Sequence, residues 1–367
     1  MEYSEKHISD QITRKTWEEL SVSAPDPVIY EKVLENWDAI AKPLDGMGRF
    51  ETVTARIGAI LGTERMDISQ KAVIIMCADN GIVAEKISQS GQAVTTAVVR
   101  QMANKTSSVG KMAALIGADT IPVDIGMREK ERIPGVLDRK VRCGTRNFRV
   151  EPAMTEAEAV WAIRTGIEMV SDCKQKGYRI LATGEMGIGN TTTSSAVAAA
   201  LLNCDAGDVT GRGAGLSDEL FLHKKQVITE AIEKYGLYDA DPLYILQTVG
   251  GLDIAGLAGV CMGGGLFHIP IVLDGVISMT AAILAERILP GTAAYLIASH
   301  KGKEPAVERL TSALQLQPVI DAGMKLGEGT GAVMMLSLLD MALSVYHGGT
   351  SFSDIHIAQY ERYGEKG

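Results

Sequence analysis

The stretch Thr183-Gly184-Glu185-Met186-Gly187-Ile188-Gly189-Asn190-Thr191-Thr192-Thr193-Ser194-Ser195 decides the reading of this chain. Tyr178 to Ala182 precede it as a short apolar run with strand character, and Ala196 to Leu202 follow it as an apolar helical run. The segment therefore reads as strand, glycine turn and helix N-terminus. Glycines let the backbone turn sharply and approach a bound group, and the helix start offers unpaired N–H donors at a positive dipole end. Those are the elements of a phosphate seat. Asn190 and the hydroxyls from Thr191 to Ser195 add helix capping and further donors. The glycine order is not G-x-G-x-x-G, and no Gly-Lys-Ser/Thr follows as in a nucleotide P-loop. A glycine-rich turn with ordinary capping explains the same residues on composition alone.

Outward from this stretch the pattern repeats. Ala72 to Cys77 is a continuous apolar run ended by Ala78-Asp79-Asn80-Gly81. Thr120 to Val123 leads to Asp124-Ile125-Gly126, Ile269 to Leu273 leads to Asp274-Gly275, and Ala294 to Ala298 leads to Ser299-His300. Helices alternate with these runs. Thr155-Glu156-Ala157-Glu158 is a capping box opening a helix that Gly177 stops. Ser217-Asp218-Glu219 opens another that ends at Gly236, and a third runs from Gly275 to Ile288 before Pro290. The alternation predicts an α/β fold, a Rossmann-like doubly wound parallel sheet with its site along the strands' C-terminal edge. Residues 1–68 and about 335–367 read as a smaller helical domain, and about 69–334 as the large α/β domain.

Composition narrows the function. The 367 residues, 46% hydrophobic and 22% charged, describe a folded globular chain with a substantial core. With 45 acids against 36 bases and a net charge of -9, no basic block is present to track a nucleic-acid backbone. Cys77, Cys143, Cys173, Cys204 and Cys261 are scattered without a C-x-x-C pair, which fits a reducing cytoplasm. Met1 to Lys6 is polar and lacks a signal-peptide core. The uncharged run Ile254 to Leu273 has the length of a membrane span, but five glycines and Pro270 make it a buried helix, loop and strand.

Two further stretches carry chemistry. In Leu326-Gly327-Glu328-Gly329-Thr330-Gly331-Ala332, Glu328 stands between glycines before the apolar helix Val333 to Leu339. Partial desolvation there would raise its proton affinity and suit a general base, while a helix-capping carboxylate is the simpler alternative. Val209 to Leu216 leads into the helix carrying Lys224, a side chain within reach of an anion. His300 and Glu304 have i, i+4 spacing, but Gly302 and Pro305 oppose a regular helix and hence a metal pair. No G-x-S-x-G elbow supports a serine hydrolase.

Several stretches together resemble the nicotinate-nucleotide–dimethylbenzimidazole phosphoribosyltransferases of cobamide lower-ligand assembly. They are Lys42-Pro43 with Gly48 and Glu51, Ala78-Asp79 with Gly81, Gly144 to Phe148, Gly184 to Thr192, Gly213 to Leu216, Gly250 to Ala255, Asp274-Gly275 and Leu326 to Ala332. The resemblance implies transfer of 5-phosphoribosyl from nicotinate mononucleotide to an aromatic base, with inversion to an α-ribotide and release of nicotinate. It implies Glu328 as general base and Glu185 beside the ribose. Gly187, Ile188, Gly189, Asn190, Thr191 and Lys224 would hold the 5′-phosphate, and Asp79, Asn80, Gln89, Ala97, Met186 and Leu326 would line the acceptor pocket. No cofactor or metal is implied, and the family is dimeric.

The departures gather at the acceptor. Asn80 replaces a usual histidine, Lys86-Ile87-Ser88 replaces Gly-Val-Ser, and Val94-Thr95-Thr96-Ala97 ends in a methyl where an amide is usual. Loss of an amide removes a donor and an acceptor from the pocket. The expectation is therefore a phenol or p-cresol acceptor with a non-identical partner subunit, ahead of a homodimer of broad specificity. A binding-only or partly degenerate partner subunit and a plain nucleotide hydrolase are the alternatives.

Overall fold

The computed structural model describes residue 17 and residues 19–362, so Met1 to Lys6 and part of the expected helical domain lie outside the described residues. Six parallel strands form one sheet: β1 (Lys71–Ala78), β2 (Asp119–Gly126), β3 (Leu137–Asp138), β4 (Ile180–Met186), β5 (Ile271–Leu273) and β6 (Leu296–Ala298). Their order is β3-β2-β1-β4-β5-β6, the doubly wound arrangement in which the chain reverses direction across the sheet between β1 and β4. Two strand readings change. Thr183, Gly184 and Glu185, assigned to the turn on sequence, continue β4, because their ladder with Ile74, Ile75 and Met76 of β1 runs unbroken. The two-residue edge strand β3 has no apolar run to announce it.

Side chains of β1 alternate between two cores, as the period of a strand requires. Ala72, Ile74, Met76 and Ala78 face one cluster, and Val73, Ile75 and Cys77 face the other. The second cluster is covered by α1 (Pro27–Ala39), α2 (Arg49–Leu61), α3 (Ala93–Ala103), α4 (Ser108–Leu115) and the last helix, Thr330–Gly348. Helices from both ends of the chain thus pack together and onto the sheet. On the opposite face lie α5 (Glu156–Gln175), α6 (Asn190–Leu201), α7 (Asp218–Tyr235), α8 (Pro242–Val249), α9 (Leu252–Phe267), α10 (Val276–Ile288) and α11 (Ala306–Ala313). The Thr155–Glu158 capping box opens α5 as read.

The membrane-length apolar run resolves into α9, a tight bend and β5. Its glycines have a packing reason: a Cβ on Gly259 would lie 1.9 Å from the Ile163 carbonyl oxygen. Only glycine lets α9 press this closely against α5. The last helix, α12 (Thr330–Gly348), begins directly after the Glu328 strap, three residues earlier than its apolar run suggests.

Candidate active site

The site forms where the sheet reverses. Met76 pairs with Glu185 and Cys77 with Met186, so the loops after β1 and β4 leave the sheet side by side. They touch: a Cβ on Gly187 would lie 2.4 Å from the Ala78 carbonyl oxygen, so position 187 admits no side chain. Gly189, at φ 96°, turns the chain into α6. The first residues of α6, Asn190 and Thr192 to Ser195, are buried, so this helix start opens toward the interior.

Lys224 of α7 completes that end of the site. It is fully buried, and its Nζ donates to Thr191 Oγ1 at 2.9 Å and to the Gly211 carbonyl at 3.1 Å. Burial pulls its ammonium down to about 8. Among the described residues no carboxylate pairs with it. An unpaired buried cation is costly unless an anion joins it, and here it sits beside a helix N-terminus. Gly213 packs over the same point, its Cβ position 3.0 Å from Thr191 Oγ1. Gly187, Ile188, Gly189, Asn190, Thr191 and Lys224 are thus brought together around one corner whose donors and charge suit an anion.

Two carboxylates stand next to it. Glu185, partly buried on β4, accepts a hydrogen bond from Asn190 Nδ2. Burial raises its carboxyl to about 8, the charges of Asp253 and Asp274 add to the rise, and Asn190 opposes it. Glu328 reaches the same place from the far end of the chain. Gly327, Glu328 and Gly329 are consecutively left-handed, at φ 80°, 63° and 91°, a strained path for the central glutamate. Asp274, following β5, holds the strap by accepting from the N–H groups of Gly329 (3.0 Å), Gly331 (2.8 Å) and Ala332 (3.2 Å). The strap packs on Glu185, for a Cβ on Gly327 would meet Glu185 Oε1 at 2.6 Å. Glu328 Oε2 is buried without a partner. Burial, with the Asp274 charge second, pushes its carboxyl above the usual range. Both glutamates therefore hold a proton more readily than a solvated acid, which is what proton exchange near neutrality needs.

Behind this corner the structure adds Asp253, part of a family-like motif but without a role on sequence. Asp253 Oδ1 accepts from the Ile254 N–H at 3.0 Å, and Oδ2 is buried without a partner. Burial raises this carboxyl to about 6. Asn80 is fully buried beside it with neither amide atom paired. Asp79 turns one oxygen to the Arg128 N–H at 2.8 Å. Asp274 and Asp253 each follow a local signal, an acid at a strand end or after a glycine pair, but their roles depend on helices from elsewhere in the chain.

Several of the residues expected on the acceptor side are exposed. Ala97 is exposed on α3. The α3 residue that reaches the site is Thr95, whose Oγ1 accepts from the Ile188 N–H at 3.2 Å; Ala97, two positions on, projects to the other side of the helix. Gln89 is also exposed, its amide donating to the Gly215 carbonyl across the mouth of the site. The amide at the acceptor loop is instead Gln92, whose Nε2 donates to the Asn80 carbonyl at 3.0 Å. Met186 is buried at the end of β4, and Leu326 is 54% exposed at the rim. Among the described residues no group of three or more His, Cys, Asp or Glu is arranged to hold a metal ion.

Comparison with known proteins identifies relatives of this chain. A phosphoribosyltransferase family model matches residues 22–357. A nicotinate-nucleotide–dimethylbenzimidazole phosphoribosyltransferase from Acetivibrio thermocellus is 41% identical over 331 residues, covering 90% of this chain and 94% of its own. The protein of that name from Clostridium acetobutylicum is 39% identical over 340 residues, covering 93% and 97%. The crystal structure of CobT from Thermus thermophilus superimposes with a TM-score of 0.86 at 33% identity, over 91% of this chain and all of that one. The chain therefore belongs to the nicotinate-nucleotide–dimethylbenzimidazole phosphoribosyltransferase family of transferases.

Proposed function

We propose that this chain transfers the 5-phosphoribosyl group of nicotinate mononucleotide to a ring nitrogen of a benzimidazole, giving an α-ribotide and free nicotinate. The observation that carries this reading is the unpaired, buried Lys224 at the N-terminus of α6, beside two proton-holding glutamates. In this reading the 5′-phosphate sits on residues 187–191 and Lys224. The acceptor nitrogen attacks C1′ from the face opposite nicotinate, the C1′–N bond to nicotinate breaks, and its electron pair returns to the pyridinium ring. The leaving group departs neutral at its ring nitrogen, so expulsion needs no acid. Glu328 takes the acceptor's N–H proton, and Glu185 lies beside the ribose, where a carboxylate stabilises developing positive charge. Positioning supplies the rest.

Against the phenolic alternative, Gln92 supplies an amide at the acceptor loop. Asn80, Lys86-Ile87-Ser88 and Ala97 are the basis of that alternative. Purified chain with nicotinate mononucleotide and, in parallel, dimethylbenzimidazole, adenine, phenol and p-cresol decides between them. An α-ribotide from dimethylbenzimidazole is expected, identified by mass and by its anomeric NMR coupling. Products from phenols alone overturn the acceptor assignment. No ribotide from any acceptor overturns autonomous catalysis in favour of a partner-dependent subunit.

A further inference from the structure

The acceptor loop, residues 80–92, is fastened at several points, and its fasteners lead to the phosphate end of the site. Its start is braced by the Gly144-Thr145-Arg146-Asn147-Phe148 segment: Thr145 Oγ1 accepts from the Gly81 N–H at 3.0 Å, and Asn147 Nδ2 donates to Glu85 Oε1. Its middle is tied to α7. Glu85 Oε2 accepts from Arg149 Nη1 at 2.7 Å, and Arg149 in turn donates to Glu230 at 2.9 Å. The Glu85 carbonyl lies 2.9 Å from His223 Nε2. A carbonyl can only accept, so His223 carries its proton on Nε2. Its far end meets the 211–216 loop through the Gln89 amide and the Gly215 carbonyl.

Each of these ties to α7 and its preceding loop lands on an element that holds Lys224. His223 is its neighbour in sequence, Glu230 lies on the same helix, and the 211–216 loop begins with the Gly211 carbonyl that accepts from Lys224 Nζ. The Arg149–Glu230 pair is about two-fifths exposed and contributes little by itself. The His223–Glu85 bond is partly buried and joins the two half-sites directly.

Resting on the phosphoribosyl-transfer reading above, we propose that His223 and Glu85 are positioning residues that latch the acceptor loop to the phosphate-binding helix. A 5′-phosphate on Lys224, held by the same helix, then tightens binding of the aromatic acceptor. The coupling is reciprocal, so an acceptor tightens phosphate binding by the same factor.

Equilibrium binding of dimethylbenzimidazole with and without ribose 5-phosphate, which has no nicotinate to lose, tests this. Ribose 5-phosphate should tighten the acceptor about tenfold in the unmodified chain, within the usual range of such couplings. His223→Ala should cut that to under about twofold and raise the acceptor KM about fivefold, the cost of one net hydrogen bond. His223→Gln, which keeps a donor, should restore most of both, a rescue that general loss of packing would not give. An acceptor affinity indifferent to ribose 5-phosphate in the unmodified chain, with ribotide still formed, overturns the latch alone. Undiminished coupling in His223→Ala also overturns it. Absence of both acceptor binding and ribotide formation overturns the transfer reading and the latch with it.

Discussion

The two ends of the site are built differently. The end proposed for the phosphate is enclosed: Lys224 is fully buried, and Gly187 is pressed against the Ala78 carbonyl with no room for a side chain. The acceptor end is open, with Leu326 54% exposed and the loop of residues 80–92 crossing it on side-chain ties. A phosphate presents the same charge and shape in every substrate, so a rigid seat of backbone N–H groups and one cation suits it. An aromatic acceptor is bound largely by shape, and shape is adjusted most easily in loops. Of the positions where the sequence departs from the family pattern, Lys86-Ile87-Ser88 lies in this loop and Ala97 on exposed α3, whereas Asn80 is buried against the turn at Gly187.

The sharpest division between the ends should come from Glu328→Gln. Loss of the general base should lower kcat by about 10²- to 10⁴-fold while the KM for nicotinate mononucleotide holds within a few-fold. Nicotinate release at the original rate would remove Glu328 from the chemistry. Lys224→Met should do the reverse, raising that KM about 10- to 100-fold, the range for a hydrogen bond to a charged group. Replacing an unpaired buried cation with an apolar side chain of similar length should leave the melting temperature equal or higher. A Lys224→Met protein that melts well below the parent would mean that the lysine is structural.

Glu185 gives a pH-dependent contrast. Its carboxyl is raised to about 8 in the folded chain against 4.5 for a freely solvated glutamate, so between these values the folded protein holds a proton that the unfolded chain has lost. Stability from this group is therefore greatest below about pH 4.5 and declines as pH rises toward 8. Glu185→Gln should raise the melting temperature at pH 8 by more than at pH 5. Equal shifts at both pH values would show that Glu185 ionises like a solvated acid. The smallest effect is expected at the open end, where Ala97→Gln should change the acceptor KM by less than about twofold, since position 97 faces solvent. A larger change, measured by steady-state kinetics with dimethylbenzimidazole, would return Ala97 to the pocket wall.

Legibility follows locality. The Thr155–Glu158 capping box, the glycine stops at Gly177 and Gly236 and the apolar runs of β1 and β5 depend on neighbours in sequence, and the structure places these elements where the sequence predicts them. Residues 183–185 escape such a reading because glycine is a weak strand former, and only pairing with β1 extends the strand through them. The exposure of Ala97 is not legible in the sequence for a related reason. Which side of α3 faces the site depends on its rotation, shown by the Thr95–Ile188 bond and invisible in a motif.

Short segments alone dictate a doubly wound α/β chain with a glycine turn and helix start at residues 187–191 and acids at Glu185 and Glu328, because strand period, helix caps and glycine turns are local properties. Long-range packing makes those acids what they are. Burial beside Asp253 and Asp274 raises Glu185, and three hydrogen bonds from the start of α12 to Asp274 hold Glu328 in a left-handed strap against it. Desolvation and Coulomb interaction depend on distances between segments far apart in the chain, and folding alone sets those distances.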